Sequence, residues 1–342
     1  MAAIDLIKNW IPWRMRHRLR RLQQRLDPRR ARRLPVHTER VADGLPTTTV
    51  SPTESLWNQK HEGEIRSAWT SNPLIQSAIQ LRQTGDPERF WLGWLFEDCL
   101  KQPAERVLSV GCGAGGHEIM MAHQGWADHV EAFDSSAAGI EKARGDAAAL
   151  GLDDIDFRLS TFEEFAETGP DFPTFDVVFF AGPLHHIRDL EGMLSRVRRC
   201  LKPDGALLFN EYVGPAYSIY PPDRVAIINR VLRSIPAEYK REKDIQWVNP
   251  TIDEVMRHDP SEGVRSSIVL DLLGMYFDYE LKRPLGGGLL HPIFDLLDGK
   301  RLADGSTDAE AVVSMLIETE DLLTDHGVIE PDMYIGICRH KR

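Results

Sequence analysis

The sequence predicts an α/β protein built on a doubly wound, mostly parallel seven-stranded sheet with a helical cap and insertions. Three observations carry this. Short apolar runs alternate with helix-period segments from Arg106 to Asn210, the pattern of a parallel sheet covered on both faces. The first run, Arg106–Val110, breaks into a loop with glycines at 111, 113, 115 and 116, and a helical stretch begins at once. The second run ends in Asp134, about 20 residues on, where a ribose-binding acid is expected.

The elements follow in order. Arg106–Val110, Val130–Phe133, Ile155–Leu159, Phe175–Phe180 and Ala206–Asn210 read as strands one to five. Gly116–Gln124, Ala137–Leu150 and Leu190–Cys200 are the helices between them, and Leu201-Lys-Pro-Asp-Gly205 is a turn. Beyond the fifth strand, Tyr217 to Arg265 is a helix-rich insertion offering Tyr217, Tyr220, Tyr239 and Trp247 to a substrate. Ser266–Met275 is the helix before a sixth strand, Tyr276–Arg283. Gly286-Gly-Gly288 gives a mobile turn, Ala309–Thr324 is helical, and Met333–Cys338 is a last, antiparallel strand. The long segment between the last two strands suits a lid or a dimer contact, with the glycine hinge and His291 favouring the lid. Ligands in such sheets bind outside the carboxyl ends of the strands, so residues just after each strand are the site candidates.

Glycine spacing alone leaves the cofactor open. Gly111, Gly113 and Gly116 fit the dinucleotide pattern G-x-G-x-x-G. Gly111, Gly113 and Gly115 equally fit a G-x-G-x-G loop for S-adenosylmethionine. The later motifs discriminate: Phe175-Asp-Val-Val-Phe-Phe180, then Ala181-Gly-Pro-Leu-His-His-Ile187, then Leu201-Lys-Pro-Asp-Gly205 and Glu211. With Val107-Leu-Ser-Val-Gly-Cys-Gly113 they make the chain resemble the bacterial class I S-adenosylmethionine-dependent methyltransferases over about Arg106 to Val213, a third of its length.

The resemblance implies S-adenosyl-L-methionine as cofactor and a set of residues around it. Gly111, Cys112, Gly113 and Gly115 would form the loop, with Asp134 and Ser135 at the ribose. Thr161 stands where many relatives place an adenine-binding aspartate, so the purine would meet its hydroxyl, nearby backbone or the ring of Phe162. Ala181 and Leu184 would line the methionine end. Trp69 and Asn72 are candidates to cover the cleft from the cap, although the aromatic residues of that segment read chiefly as packing.

His185 and His186 are the catalytic candidates, one of them facing the cleft as a general base. Histidine titrates near working pH and suits removal of a proton from an oxygen nucleophile. Glu211 would orient the histidine or bind a substrate hydroxyl. The fourth-strand exit lacks the Asn/Asp-Pro-Pro-Tyr of amino-methylating nucleic-acid enzymes, and no Pro-Cys nucleophile follows it. Nucleic acid is therefore disfavoured as a substrate, and no tight acidic cluster calls for a metal.

Charge divides the chain. Residues 1–33 carry 11 Lys or Arg against Asp5 and Asp27, and the rest carries 30 basic and 50 acidic side chains. The basic arm, 1–34, has Ile4, Ile7, Ile11, Met15, Leu19, Leu22 and Leu26 at helical spacing, with arginines on its other faces. Such a helix suits an anionic membrane surface; a solvated tail, a nucleic-acid arm and a transit peptide are the competing readings. Residues 35–53 read as a linker, 54–103 as the helical cap and 104–342 as the main domain, with insertions at about 215–265 and 286–330. Four scattered cysteines without C-x-x-C pairs and the lack of a long apolar run point to a cytoplasmic protein, peripheral at most on the inner membrane face. The expected acceptor is a saccharide hydroxyl, on a lipid-linked glycan for instance. A small aromatic hydroxyl and a cofactor-binding module without turnover are the alternatives, and a homodimer is the expected assembly if the insertion is a contact.

Overall fold

The computed structural model describes residues 69–341; the basic arm, the linker and the cap up to residue 68 lie outside the described residues. The described cap begins with a 3₁₀ turn, Trp69–Ser71, and α1, Pro73–Thr84. Asn72 caps α1 by accepting from the amides of Leu74 and Ile75, while Pro73 occupies the first turn, where its missing N–H costs nothing. A short α2, Trp91–Trp94, runs into a π-helical turn over Leu95–Leu100.

The core then alternates as expected: β1 (Ala104–Val110), α3 (Gly116–Gln124), β2 (Ala127–Asp134), α4 (Ala137–Ala149), β3 (Ile155–Leu159), α5 (Phe162–Thr168), β4 (Phe175–Ala181), α6 (Leu190–Cys200) and β5 (Leu201–Tyr212). An insertion carries α7 (Pro222–Ser234) and α8 (Ile252–His258); α9 (Val269–Tyr276) leads into β6 (Phe277–Gly286). The second insertion holds α10 (Leu290–Phe294), α11 (Gly299–Leu302) and α12 (Thr307–Asp325) before β7 (Met333–His340). Strand order is β3-β2-β1-β4-β5-β7-β6, with β7 antiparallel to both of its neighbours.

Alternation along each strand sends side chains to two cores. Val107, Val177 and Phe179 pack with α3, α4 and the tryptophans of α2, whereas Leu108, Val178 and Phe180 pack with α5, α6 and α9. Burial on both faces is why these strands read as continuous apolar runs. One element differs from expectation. Leu201–Gly205 is the start of β5 and not a separate turn, because Phe175 pairs with Leu201 before the register jumps to Val177 and Ala206. The residues between bulge out of the ladder, so the turn chemistry of Pro-Asp-Gly is accommodated inside a strand.

A third core joins the insertions to the cap. Trp69, Ile75, Tyr220, Ile228, Tyr239, Phe294, Val313 and Leu316 are buried in it. Tyr220 and Tyr239, expected at a substrate, are core residues at 2% and 8% exposure. The Gly286–Gly288 turn is likewise no free hinge. Fully buried Glu320 accepts from the amides of Gly287, Leu289 and Leu290 and from Arg82 of α1. The second insertion is therefore bolted to the cap, an arrangement that fits a fixed wall better than a swinging lid. All four cysteines are free thiols, and no helix of the described residues is long and apolar enough to cross a membrane.

Candidate active site

Among the described residues a cavity of about 790 Å³ opens at the carboxyl ends of the first four strands. Its floor is the glycine loop. Gly111 has φ +67°, and a Cβ there would lie 2.6 Å from Cβ of Pro183 in the loop after β4. Glycine is required by both the left-handed backbone and this close approach. Asp134 holds the loop in shape: Oδ2 accepts from the Gly113 amide and Oδ1 from the Ser136 amide, each at 2.8 Å. An ionised carboxylate has further lone pairs, so Asp134 retains capacity for a ribose diol.

Cys112, Asp134, Ser135, Thr161, Phe162 and Ala181 line the cavity, where the sequence placed them. Gly115 does not. A Cβ on it would meet Ala143 and Phe157 at 2.7 Å, so it is the glycine that lets α3 start against α4 and β3. Leu184 also leaves the expected list: its side chain is fully buried in the core, and it contributes an amide instead. The Thr161 hydroxyl caps α5 by accepting from the Glu164 amide, and the Glu164 carboxylate returns to the Thr161 amide. That capping box employs the hydroxyl expected at adenine, while the Phe162 ring stays on the wall. From the cap, Phe90 lines the cavity; Trp69 packs against His291, and Asn72 is a helix cap that donates to the Leu302 carbonyl.

Two wall residues had no signal in the sequence. His117 lies edge-on between Trp91 and Phe179, and burial lowers its pKa to about 4. Glu118 is 1% exposed, bonded to Ser109 Oγ at 2.5 Å, and burial raises its pKa to about 7. Both sit in the first turn of α3, and neither charge sign nor helical spacing marks them as facing a ligand. With Glu118, Asp134 and Glu163 the wall bears three carboxylates against the single guanidinium of Arg188. Such a lining favours a cationic ligand and opposes the two phosphates of a dinucleotide.

The catalytic candidates come together beside this cavity. His185 Nδ1 lies 2.5 Å from Oε1 of Glu211. Glu211 is fully buried at the end of β5 and also accepts from the amides of Leu184 and Tyr212. With both Glu211 oxygens already accepting from amides, Nδ1 of His185 is the donor in this pair, leaving Nε2 directed to Glu262 Oε1 at 3.7 Å. Burial opposes the imidazolium, but Glu211 and then Glu262 and Asp259 outweigh it, and the His185 pKa lies above its ordinary value. His186 is the member of the pair that lines the cavity. Its Nδ1 meets Ser261 Oγ at 3.0 Å, and Ser261 in turn donates to Asp259 at 2.7 Å. The two imidazoles are 4.0 Å apart between centroids, and Tyr212 stands edge-on to His185 at 5.6 Å.

The fold also builds a donor set that spacing did not announce. His185, His186 and Glu262 each bring one ligand atom within 4.8 Å of the others. Two imidazoles and a carboxylate are the donors of a mononuclear divalent site.

Comparison with known proteins bears on the domain that carries this cavity. A family described as "Methyltransferase domain" matches residues 101–256. Ubiquinone biosynthesis O-methyltransferase of Pasteurella multocida is 36% identical over 165 residues, covering 46% of this chain and 59% of that protein. The protein of the same name from Neisseria meningitidis is 34% identical over 106 residues, 31% of this chain and 43% of that one. The chain thus spans about half the length of the curated relatives it matches. Among solved structures, geranyl diphosphate C-methyltransferase from Streptomyces coelicolor, in complex with Mg²⁺, geranyl diphosphate and S-adenosyl-L-homocysteine, shares the fold: TM-score 0.50 at 17% identity, over 86% of this chain and all of that one.

Proposed function

We propose that this chain, whose central domain belongs to the class I S-adenosylmethionine-dependent methyltransferases, is an O-methyltransferase of small hydroxylated acceptors. The observation that carries the reading is the His185–Glu211 pair behind His186, beside a carboxylate-lined cavity built on the glycine loop and Asp134. That cavity suits S-adenosylmethionine in size, in backbone approach and in charge. Bound there, the cofactor supplies an electrophilic methyl group on a sulfonium together with its own leaving group.

The chain's part is to align the acceptor and take its proton. His185 gives Nδ1–H to Glu211, so Nε2 is the atom that accepts a proton from the acceptor hydroxyl. Glu211 is a positioning residue that stabilises the resulting imidazolium, and Glu262 adds to that field. His186, on the cavity wall, stacks beside His185 with ring centroids 4.0 Å apart and puts the pair next to the cavity.

Among acceptors, the relatives named for ubiquinone biosynthesis support a small aromatic hydroxyl. The aromatic surroundings favour the same class: Tyr212 lies between His185 and His291, and His291 packs against Trp69. A saccharide or lipid-linked glycan has only the basic arm in its favour, and that arm, with its suggested membrane contact, lies outside the described residues. The test is methyl transfer from labelled S-adenosylmethionine to a catechol-type phenol and, in parallel, to a glycolipid extract. Label in the phenol supports the reading. Label in the glycolipid alone overturns the aromatic acceptor, and no label despite measured cofactor binding makes the protein a binding module.

A further inference from the structure

Glu118 is a buried carboxylate with one oxygen satisfied and one not. It lies in the first turn of α3 and reaches back under the glycine loop, where Oε1 meets Ser109 Oγ at 2.5 Å. Its Oε2 is buried and has no hydrogen-bond partner among the described residues. A buried carboxyl oxygen without a partner is costly inside a protein, and structures keep such groups where a ligand completes them. The residue lines the cavity together with Ser109, Gly111, Cys112 and Gly113, at the end of β1. The other loop carboxylate, Asp134, is already committed to the amides of Gly113 and Ser136 and stands at the end of β2. The cavity therefore has two carboxyl stations one strand apart, one of them with an unpartnered oxygen.

We propose that Glu118 is the counter-ion for the primary ammonium at the amino-acid end of the bound cofactor, with Ser109 holding the carboxylate in place. The inference rests on the S-adenosylmethionine reading above and adds a residue to it. A ligand that brings an ammonium meets the orphaned oxygen with a charge-assisted hydrogen bond. A ligand with adenosine and a thioether but no amino-acid tail leaves it unmet.

Calorimetric titration of the purified full chain separates the outcomes. The ligands are S-adenosylhomocysteine, its α-deaminated analogue, and 5′-methylthioadenosine, which lacks the amino-acid portion. Glu118→Gln is expected to weaken S-adenosylhomocysteine by roughly 10- to 100-fold, the range of a hydrogen bond to a charged group. It is expected to leave methylthioadenosine within about twofold, since no lost contact faces that ligand. Wild-type protein should discriminate against the deaminated analogue by a similar factor, which tests the contact even if the variant does not fold. Equal losses for both ligands in Glu118→Gln, or wild-type indifference to the missing ammonium, overturn the assignment. Wild-type protein that binds none of the three overturns the cofactor reading itself, an outcome distinct from either of those.

Discussion

His185 Nδ1 and Glu211 Oε1 lie 2.5 Å apart although one follows β4 and the other ends β5. The parallel pairing of those strands, with Ala181 opposite Asn210, brings the two exits side by side. Glu211 is held from three directions, so the imidazole it orients has one tautomer and one nitrogen left for chemistry. His185→Ala should lower kcat by roughly 10²- to 10⁴-fold, the usual worth of a positioned general base, with S-adenosylhomocysteine affinity unchanged. Unaltered kcat would remove His185 from the reaction.

Glu211→Gln tests the positioning role through pH. His185 must be neutral to accept a proton, so activity rises with pH through its pKa, which Glu211 helps to hold above the ordinary value. Replacing the carboxylate should move the ascending, acid-side limb of the kcat profile to lower pH and reduce its plateau. A limb that stays in place would assign the titration to another group.

The donor set of His185, His186 and Glu262 makes metal dependence a direct question. With His185 acting as base, dialysis against a chelator should leave the rate within about twofold, because a group that must accept a proton cannot also ligate. A rate that collapses and returns with added Zn²⁺ or Mg²⁺ would make the cluster a metal centre and His185 a ligand.

His117 links stability to pH. Its pKa is about 4 in the fold against 6.5 as the reference value, because burial between Trp91 and Phe179 disfavours the cation. Between these values the unfolded chain binds more protons, so stability is intact above pH 6.5 and drains as pH falls toward 4. The loss attributable to this group approaches about 3 kcal/mol at full displacement. Urea denaturation of wild type and His117→Phe from pH 4 to 7 should show the wild type losing more on acidification. Parallel curves would sink the idea.

Glu320 carries the second insertion. Removing a buried carboxylate that serves three amides and Arg82 should cost about 3–5 kcal/mol of stability, read as a lower Tm for Glu320→Ala. Hydrogen exchange should quicken at Gly287, Leu289 and Leu290, whose amides lose their acceptor. Unchanged protection there would mean that the loop is held by packing alone.

Sequence alone made legible the sheet and the glycine loop at its carboxyl end. Strand, glycine loop, helix and Asp134 are read within a few tens of residues, because each is a local backbone requirement: a left-handed turn, a close approach, an acid at a strand exit. The same locality made the parallel core, the antiparallel β7 and the His-His-Glu candidates legible. Which residues line the cavity emerged from packing. Leu184 turned into the core, Gly115 proved a packing glycine, and Thr161 spent its hydroxyl on a helix cap, since the facing of a side chain depends on what packs behind it. The partners of the two histidines, Ser261 and Glu262, come from an insertion some 75 residues away, and the orphaned oxygen of Glu118 is a product of burial in the packed fold. Burial and long-range contact are properties of the packed chain, and no spacing along the sequence encodes them.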